Sequence, residues 1–284
     1  MEIRVISWNL FHGRDSAPAR ELHTWRSRLL RRTERGATHA QVNRDLFDSF
    51  SGVLADAEWD IALLQECPPR WAEGLATATG SEPHLVPTAR NLGGPLSTLQ
   101  SLVARLNPDL IASWEGGCNL TLVRAQRNLG RTLTERRQVT LTQRPETRRM
   151  ALSRLRPGLC VANLHASGAR RAAETELELA ARRAADWAAG SPLLLGGDFN
   201  IRSSSSAELF ATLSCDYGFS GPTGAGSLDH ILGRGLAALG EPTPWPPAGR
   251  EVPDPTAAEP ASALPIRLSD HAPVEAAFEL AEPD

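Results

Sequence analysis

The 284-residue chain predicts an α/β fold built as one domain, and three observations carry that reading. Short apolar runs of strand length recur, at residues 3–8, 59–64, 159–164 and 193–195. Segments whose apolar residues are spaced by three and four lie between them. Each run hands over to a polar residue at its carboxyl end, which is where α/β sheets hold their ligands. No linker separates halves of different character. The domain is therefore taken as residues 1–284, with a helical insertion over about 15–57 and a proline-rich loop over about 241–265.

Taken in order, Ile3, Val5 and Ser7 alternate with Arg4, Ile6 and Trp8, the pattern of a central strand that ends in Asn9. The spacing of Leu22, Trp25, Leu29 and Leu30, then of Val42, Leu46, Phe50 and Leu54, predicts two helices interrupted at Gly36. The first is strongly basic (Arg26, Arg28, Arg31, Arg32, Arg35), the usual sign of a solvated face. Residues 59–64 are a second buried strand, delivering Gln65 and Glu66; a helix over 70–78 and an irregular stretch to Ala112 follow. Strands with polar alternation are expected over 117–124, 138–143 and 150–155, and the run 159–164 leads to His165. Residues 170–189 carry the clearest helical stripe, ended by Gly190-Ser191-Pro192. Leu193-Leu194-Leu195 then runs into Gly196-Gly197-Asp198-Phe199-Asn200, where Asp198 and Asn200 project to one side of an extended chain. A strand over 227–232 carries Asp229. The proline-rich loop has no periodicity, and Ser269-Asp270-His271 leads into a last alternating strand.

Composition narrows the chemistry. A formal charge of −3 argues against sequence-blind coating of nucleic acid, while a local basic groove stays compatible with it. All 30 basic residues are arginine, so Schiff-base and P-loop-lysine chemistry are excluded. Cys67, Cys118, Cys160 and Cys215 are far apart, which predicts buried free thiols and no zinc knuckle or disulfide framework. No apolar run approaches the ~18 residues that cross a bilayer. Nothing at the amino terminus reads as a signal peptide, so a cytoplasmic location is expected.

Single polar groups at the ends of apolar strands make a poor core and a good site. Glu66, Asp270 and Asn9 offer hard oxygen ligands of the kind Mg²⁺ or Mn²⁺ takes. Two histidines without cysteine partners, His165 and His271, suit acid–base work. The order Trp-Asn, Gln-Glu, Asn-Leu-His, Gly-Asp-Phe-Asn, Asp-His-Ile and Ser-Asp-His-x-Pro-Val, from residue 7 to residue 274, resembles the endonuclease/exonuclease/phosphatase superfamily of DNase I-like phosphoesterases. The resemblance implies a four-layer α/β sandwich, two packed mixed sheets flanked by helices. It implies a metal at Glu66, with Asn9 and Asp270 beside it. It implies water activation by Asp198, phosphate holding by Asn200, and a phosphate-contacting His271 whose tautomer Asp229 fixes. His165 matches a proton donor to the leaving oxygen, and Arg148 a phosphate-gripping arginine.

The expected activity is phosphodiester hydrolysis by in-line attack of water, a DNase-like nuclease first. A small-molecule or lipid phosphodiesterase or phosphatase is the alternative, and a non-catalytic binding module on the same fold the remote one. The partner implied is a phosphoester substrate, with nucleic acid among the candidates and no obligate protein partner evident. The aspartate that abasic-site enzymes carry two residues after the first asparagine is Phe11 here, and Tyr217, the single tyrosine, lies in no motif. His12 and Arg14 are read equally as substrate contacts or as a surface loop. Arg148 and Arg149, as strand neighbours, are expected to face opposite ways. His230 is expected to be structural, Asn119 a turn or strand-start residue, and His23, His39 and His84 surface histidines.

Overall fold

The computed structural model describes residues 1–88, 95–124, 133–156, 158–221, 223–258 and 263–281. The chain opens with β1 (Glu2–Asn9), α1 (Trp25–Leu30), the two-residue strands β2 (Glu34–Arg35) and β3 (Ala40–Gln41), and α2 (Phe47–Asp56). Next come β4 (Ile61–Cys67), α3 (Ala72–Thr79), β5 (Ser81–Pro87), α4 (Pro95–Leu106), α5 (Pro108–Ile111) and β6 (Cys118–Arg124). Then follow β7 (Leu133–Thr142), β8 (Arg148–Leu155), β9 (Cys160–His165), α6 (Arg170–Ala188), β10 (Leu193–Asp198), α7 (Ala207–Cys215) and β11 (Asp229–Arg234). Short strands β12 (Ala237–Ala238), β13 (Thr243–Pro244), β14 (Glu251–Pro253) and β15 (Pro265–Arg267) precede β16 (Val274–Glu279).

Two mixed sheets repeat one pattern of directions. The first runs β16-β1-β4-β6-β5, with β12 and β13 on the outer edge of β16, and only β1 and β4 are parallel. The second runs β11-β10-β9-β8-β7, and only β9 and β10 are parallel. The helices α2 and α3 cover the outer face of the first sheet, burying Trp8, Phe50, Leu64 and Leu75 in one cluster. The helices α6 and α7 cover the second through Leu164, Leu177, Leu195 and Leu213. Ile3, Val5, Leu63, Val161, Leu194 and Ile231 fill the space between the sheets. The result is the four-layer α/β sandwich that the resemblance implies.

Side chains alternate across a strand, so every second residue of the two parallel pairs enters the inter-sheet space. At one end these residues are aliphatic: Ile3 and Val5, Ile61 and Leu63, Val161, Leu194. One step on they are neutral and polar. Gln65 Nε2 donates to Asn163 Oδ1 (2.9 Å) and lies 3.4 Å from Ser7 Oγ, while Asn163 Nδ2 reaches back to Leu120 O (3.2 Å). At the carboxyl ends they are Asn9, His165 and Asp198. The inter-sheet filling thus grades from oil to amide to ionisable group along the strands. Gly196 sits in the middle of this column because the sheets close on it: a Cβ there would lie 2.7 Å from Leu63 Cδ1 and 3.0 Å from His230 O. Farther out, Asn119 Nδ2 donates to Arg149 O (2.7 Å), and His84 Nδ1 lies 2.8 Å from Ser153 Oγ.

Several expectations are corrected. The insertion over 15–57 is only partly helical, since α1 stops after six residues and β2 pairs with β3. The stretch read as irregular up to Ala112 holds β5, α4 and α5. The proline-rich loop contains strand structure: β14 pairs with β15, Val252 opposite Ile266, because the prolines sit at the ends of a short edge pair. Its residues 259–262 lie outside the described residues. His84 is buried instead of on the surface, and Cys215 is the exposed thiol among the four.

Candidate active site

Four strand ends meet at one place because both parallel pairs point the same way. Asp198 on β10 pairs across its sheet with His165 on β9 and with Asp229 at the start of β11. From the facing sheet, Asn9 Nδ2 donates to Asp198 Oδ2 (2.9 Å), and Asn9 Oδ1 accepts from Phe11 N (2.9 Å). Asp198 Oδ1 accepts the Asn200 backbone N–H (2.9 Å), and Asn200 Nδ2 donates to Ala166 O (3.0 Å). His165 Nε2 lies 3.5 Å from Asp198 Oδ2 and 3.9 Å from Glu66 Oε1, and Arg148 Nη1 approaches its Nδ1 at 3.3 Å. Guanidinium only donates, so Nδ1 accepts and Nε2 carries the imidazole proton toward Asp198. His271 Nε2 comes within 3.8 Å of the same Asp198 oxygen, while its Nδ1 is 2.7 Å from Asp229 Oδ2.

Glu66 reaches this cluster through backbone irregularity. The register of β4 against β6 shifts between Leu64 and Cys67, and Glu66 takes φ +46° in that bulge. Bulges re-aim side chains next to active sites. Phe11, His12, Asn200 and Ser269 also have positive φ. Non-glycine residues held this way cost of order 1–3 kcal/mol each and persist where the surroundings fix them. Gly117 leaves room for Glu66, since a Cβ there would meet Glu66 Cα at 3.2 Å.

The electrostatics separate the ionisable groups. Burial and then the Asp229 charge push the Asp198 carboxyl up to about 7. Burial alone would lower His271, but its hydrogen bond to Asp229, with the Asp229, Asp198 and Asp270 charges, outweighs that and raises it to about 10. Burial, then the positive charges of Arg148, His271 and His12, hold His165 well below its ordinary value. The two imidazoles facing Asp198 therefore differ, one cationic and one neutral at pH 7. Glu66 is raised by burial and by the nearby Asp270 charge.

A pocket of about 140 Å³ opens beside this cluster, walled by His12, Glu66, Ser113, Gly117, Arg148 and His165. A larger hollow of about 720 Å³ between α6 and α7, lined by Arg170, Glu174, Ser205 and Glu208, holds none of these groups.

Residues 6–271 match the Endonuclease/Exonuclease/phosphatase family. The chain belongs to that family. No curated protein matches the chain in sequence. Among solved structures, an endonuclease/exonuclease/phosphatase family protein of Bacteroides thetaiotaomicron is 14% identical, covers 98% of this chain and 95% of its own, and superposes with a TM-score of 0.60. A mannosyl-6-phosphatase from the same organism is 15% identical over 98% of this chain and 100% of its own, at TM-score 0.60. The human nocturnin catalytic domain, with a bound sulfate anion, is 16% identical over 99% of this chain and 95% of its own, at 0.57.

Endonuclease/exonuclease/phosphatase family members hydrolyse phosphoester bonds and depend on a divalent cation. The donors present here suit one in two ways. Ligand atoms of Asp198, Asp229 and His271 lie within 4.8 Å of one another, though His271 Nδ1 is already engaged with Asp229. Glu66 is disfavoured as a carboxylate by burial and then by the Asp270 charge, a repulsion that a cation would relieve.

The structure thus brings Asn9, Glu66, Arg148, His165, Asp198, Asn200, Asp229, Asp270 and His271 to one end of the sandwich. Arg148 faces the pocket, whereas Arg149 donates to Pro87 O (2.7 Å) and ties the sheets together. His230 is structural, its Nε2 2.8 Å from Ile201 O. His12, one of two open readings for its loop, lines the pocket with its Nε2 3.4 Å from Glu66 Oε2. Sequence reasoning missed the groups that hold His271. Ser269 Oγ accepts from His271 N (3.1 Å) and donates to Asn9 O (2.6 Å), Trp8 Nε1 donates to His271 O (3.0 Å), and buried Arg250 donates to Leu268 O (3.1 Å). Ser269 and Trp8 stood inside quoted motifs; nothing marked Arg250.

Proposed function

We propose that the chain hydrolyses a small phosphoester by in-line attack of water, with Mg²⁺ or Mn²⁺ held by Glu66 and Asp270 and with Asn9 alongside. The observation that carries the reaction is the approach of both imidazole Nε2 atoms to one oxygen of Asp198, at 3.5 and 3.8 Å, with Glu66 across from them. When bound, the cation supplies Lewis-acid stabilisation of a phosphoryl oxygen. Asp198, whose proton affinity sits near neutrality, takes the proton of the attacking water as the new P–O bond forms. His271, kept cationic by Asp229, faces the negative charge that grows on the phosphoryl oxygens. Asn200 and Arg148 hold those oxygens. His165 presents an Nε2–H, and an incoming phosphate anion raises its proton affinity. Once it has taken a proton from solvent at Nδ1, which Arg148 leaves free as it turns to the phosphate, the imidazolium gives its Nε2 proton to the leaving oxygen as the old P–O bond breaks.

The size of the pocket supports a compact substrate over a duplex: about 140 Å³, with Ser113 and Glu146 beside Arg148, suits a phosphate carrying a small polar group. Incubation with bis-p-nitrophenyl phosphate, mannose 6-phosphate and plasmid DNA, each with Mg²⁺, Mn²⁺ or EDTA, tests both halves. Turnover of a small ester, abolished by EDTA and by His271→Ala, is the expected result. Nicking of plasmid without turnover of small esters would restore the nuclease reading, and activity that survives EDTA would overturn the mechanism.

A further inference from the structure

Two helices beside the pocket are turned inside out. On α4, Leu96, Leu99, Leu102 and Leu106 recur at helical spacing and are each more than half exposed, while Ala104 on the other side is fully buried. An amphipathic helix ordinarily faces that stripe inward. On α1, Trp25 is 67% exposed and Leu29 58%, while Ser27 is buried. Polar groups fasten these helices to the body. Buried Asn43 donates through Nδ2 to Ser27 O (3.2 Å) and Asn107 Oδ1 (2.7 Å), Asn107 donates to Arg28 O (2.7 Å), and Gln100 donates to Trp114 O (2.8 Å). A hollow of about 820 Å³ lined by Leu30, Arg31, Arg44, Leu102, Arg105 and Leu106 joins the two helices into one face. Leu110 and Trp114 extend that face, and Ser113 next to Trp114 lines the catalytic pocket. Contiguous exposed apolar surface of this kind marks an interaction site.

Charge selects the occupant. Residues 25–35 carry five arginines, of which Arg35 is paired with Asp254 (2.8 Å), against one acidic side chain, Glu34, which already accepts a hydrogen bond from Thr24 Oγ1 (2.9 Å). Asp45 is shared between Arg105 (3.1 Å) and Arg70 (3.5 Å). A second copy docked face to face would set arginine against arginine. Tryptophan and leucine ringed by arginine instead match the boundary of an anionic bilayer, where apolar side chains enter and guanidinium groups stay at the headgroups.

We propose that the α1–α4 face docks on an anionic lipid surface, with the catalytic pocket opening at its edge. Docking is independent of the proposed reaction and is read without turnover. The full chain is sedimented with vesicles of phosphatidylcholine alone and with about one-third phosphatidylserine, at about 0.1 M and about 0.5 M salt. The expected result is binding to the anionic vesicles, weakened by salt, and at least tenfold weaker for Leu29→Ser/Leu102→Ser and for Arg31→Glu/Arg32→Glu. These positions are exposed, so unchanged melting temperatures will show that both variants fold. Equal binding by wild type and variants, or no binding to either vesicle, overturns the proposal. So does a dimer by light scattering that the leucine substitutions return to monomer, since the face would then belong to a second copy.

Discussion

His271 Nδ1 lies 2.7 Å from Asp229 Oδ2, and the other oxygen of that carboxylate is buried with no hydrogen-bond partner among the described residues. The pair fixes which imidazole nitrogen faces the cleft and keeps the ring charged to about pH 10. Asp229→Asn removes the charge while keeping the shape. The His271 titration, followed by NMR, is expected to fall back toward the ordinary value of about 6.5, and kcat to drop by about 10²–10⁴. In the variant, activity declines as pH rises through that range, where the wild type still holds its imidazolium. An unmoved titration would mean that Asp229 does not set the charge.

Glu66 enters the cleft through a bulge, and burial, then the Asp270 charge, raises its proton affinity. Glu66→Gln is expected to weaken Mn²⁺ binding by more than about 100-fold, beyond the loss usual for groups that only support a ligand. Calorimetric titration of Mn²⁺ into the variant checks this directly. Affinity within a few-fold of wild type would place the metal elsewhere, with the Asp198, Asp229 and His271 group next to be tested.

Gly196 faces Leu63 Cδ1 of the opposite sheet and lies against His230 O of its own. Gly196→Ala is expected to cost about 1–3 kcal/mol by overpacking. Adding Leu63→Val, which removes the nearest atom, recovers part of that loss. Denaturant unfolding of the single and double variants measures both, and additive effects would deny the contact.

His84 bridges β5 to β8 through Ser153, and burial, then the Arg136 charge, lowers it to about 4. Between that value and about 6.5 the unfolded chain binds a proton that the folded chain does not. Stability from this group is therefore complete above about pH 6.5 and is lost as pH falls toward 4, by about 3 kcal/mol in all. His84→Gln keeps a hydrogen-bonding group and removes the titration, so its stability-versus-pH curve is expected to be flatter on the acid side. Parallel curves would exclude the effect.

The strands were legible because period-two alternation and β-branched or leucine runs survive wherever one face meets a core. The strand-end residues were legible because Asn9, His165 and Asp198 interrupt apolar runs for no packing reason. What escaped depends on partners distant in sequence. His84 looks like a surface histidine until β8 supplies Ser153 from across the sheets. The pairing of Val252 with Ile266 spans a loop that has no periodicity of its own. α4 reads as irregular when an inward stripe is the criterion, because its leucines face away from the body of the fold. Glu66 was readable as a candidate oxygen ligand by type, but the left-handed backbone that aims it was not.

The graded filling between the sheets divides the molecule's evolutionary freedom unequally. Between Ile3 and Asn9, or Val161 and His165, the same strand supplies both core and chemistry, so a change in the reacting groups strains the packing beneath them. The pocket walls at His12, Ser113 and Glu146 lie outside those strands. Mutation can therefore retarget the enzyme to a new molecule at its walls while the bond it breaks stays fixed by the strands.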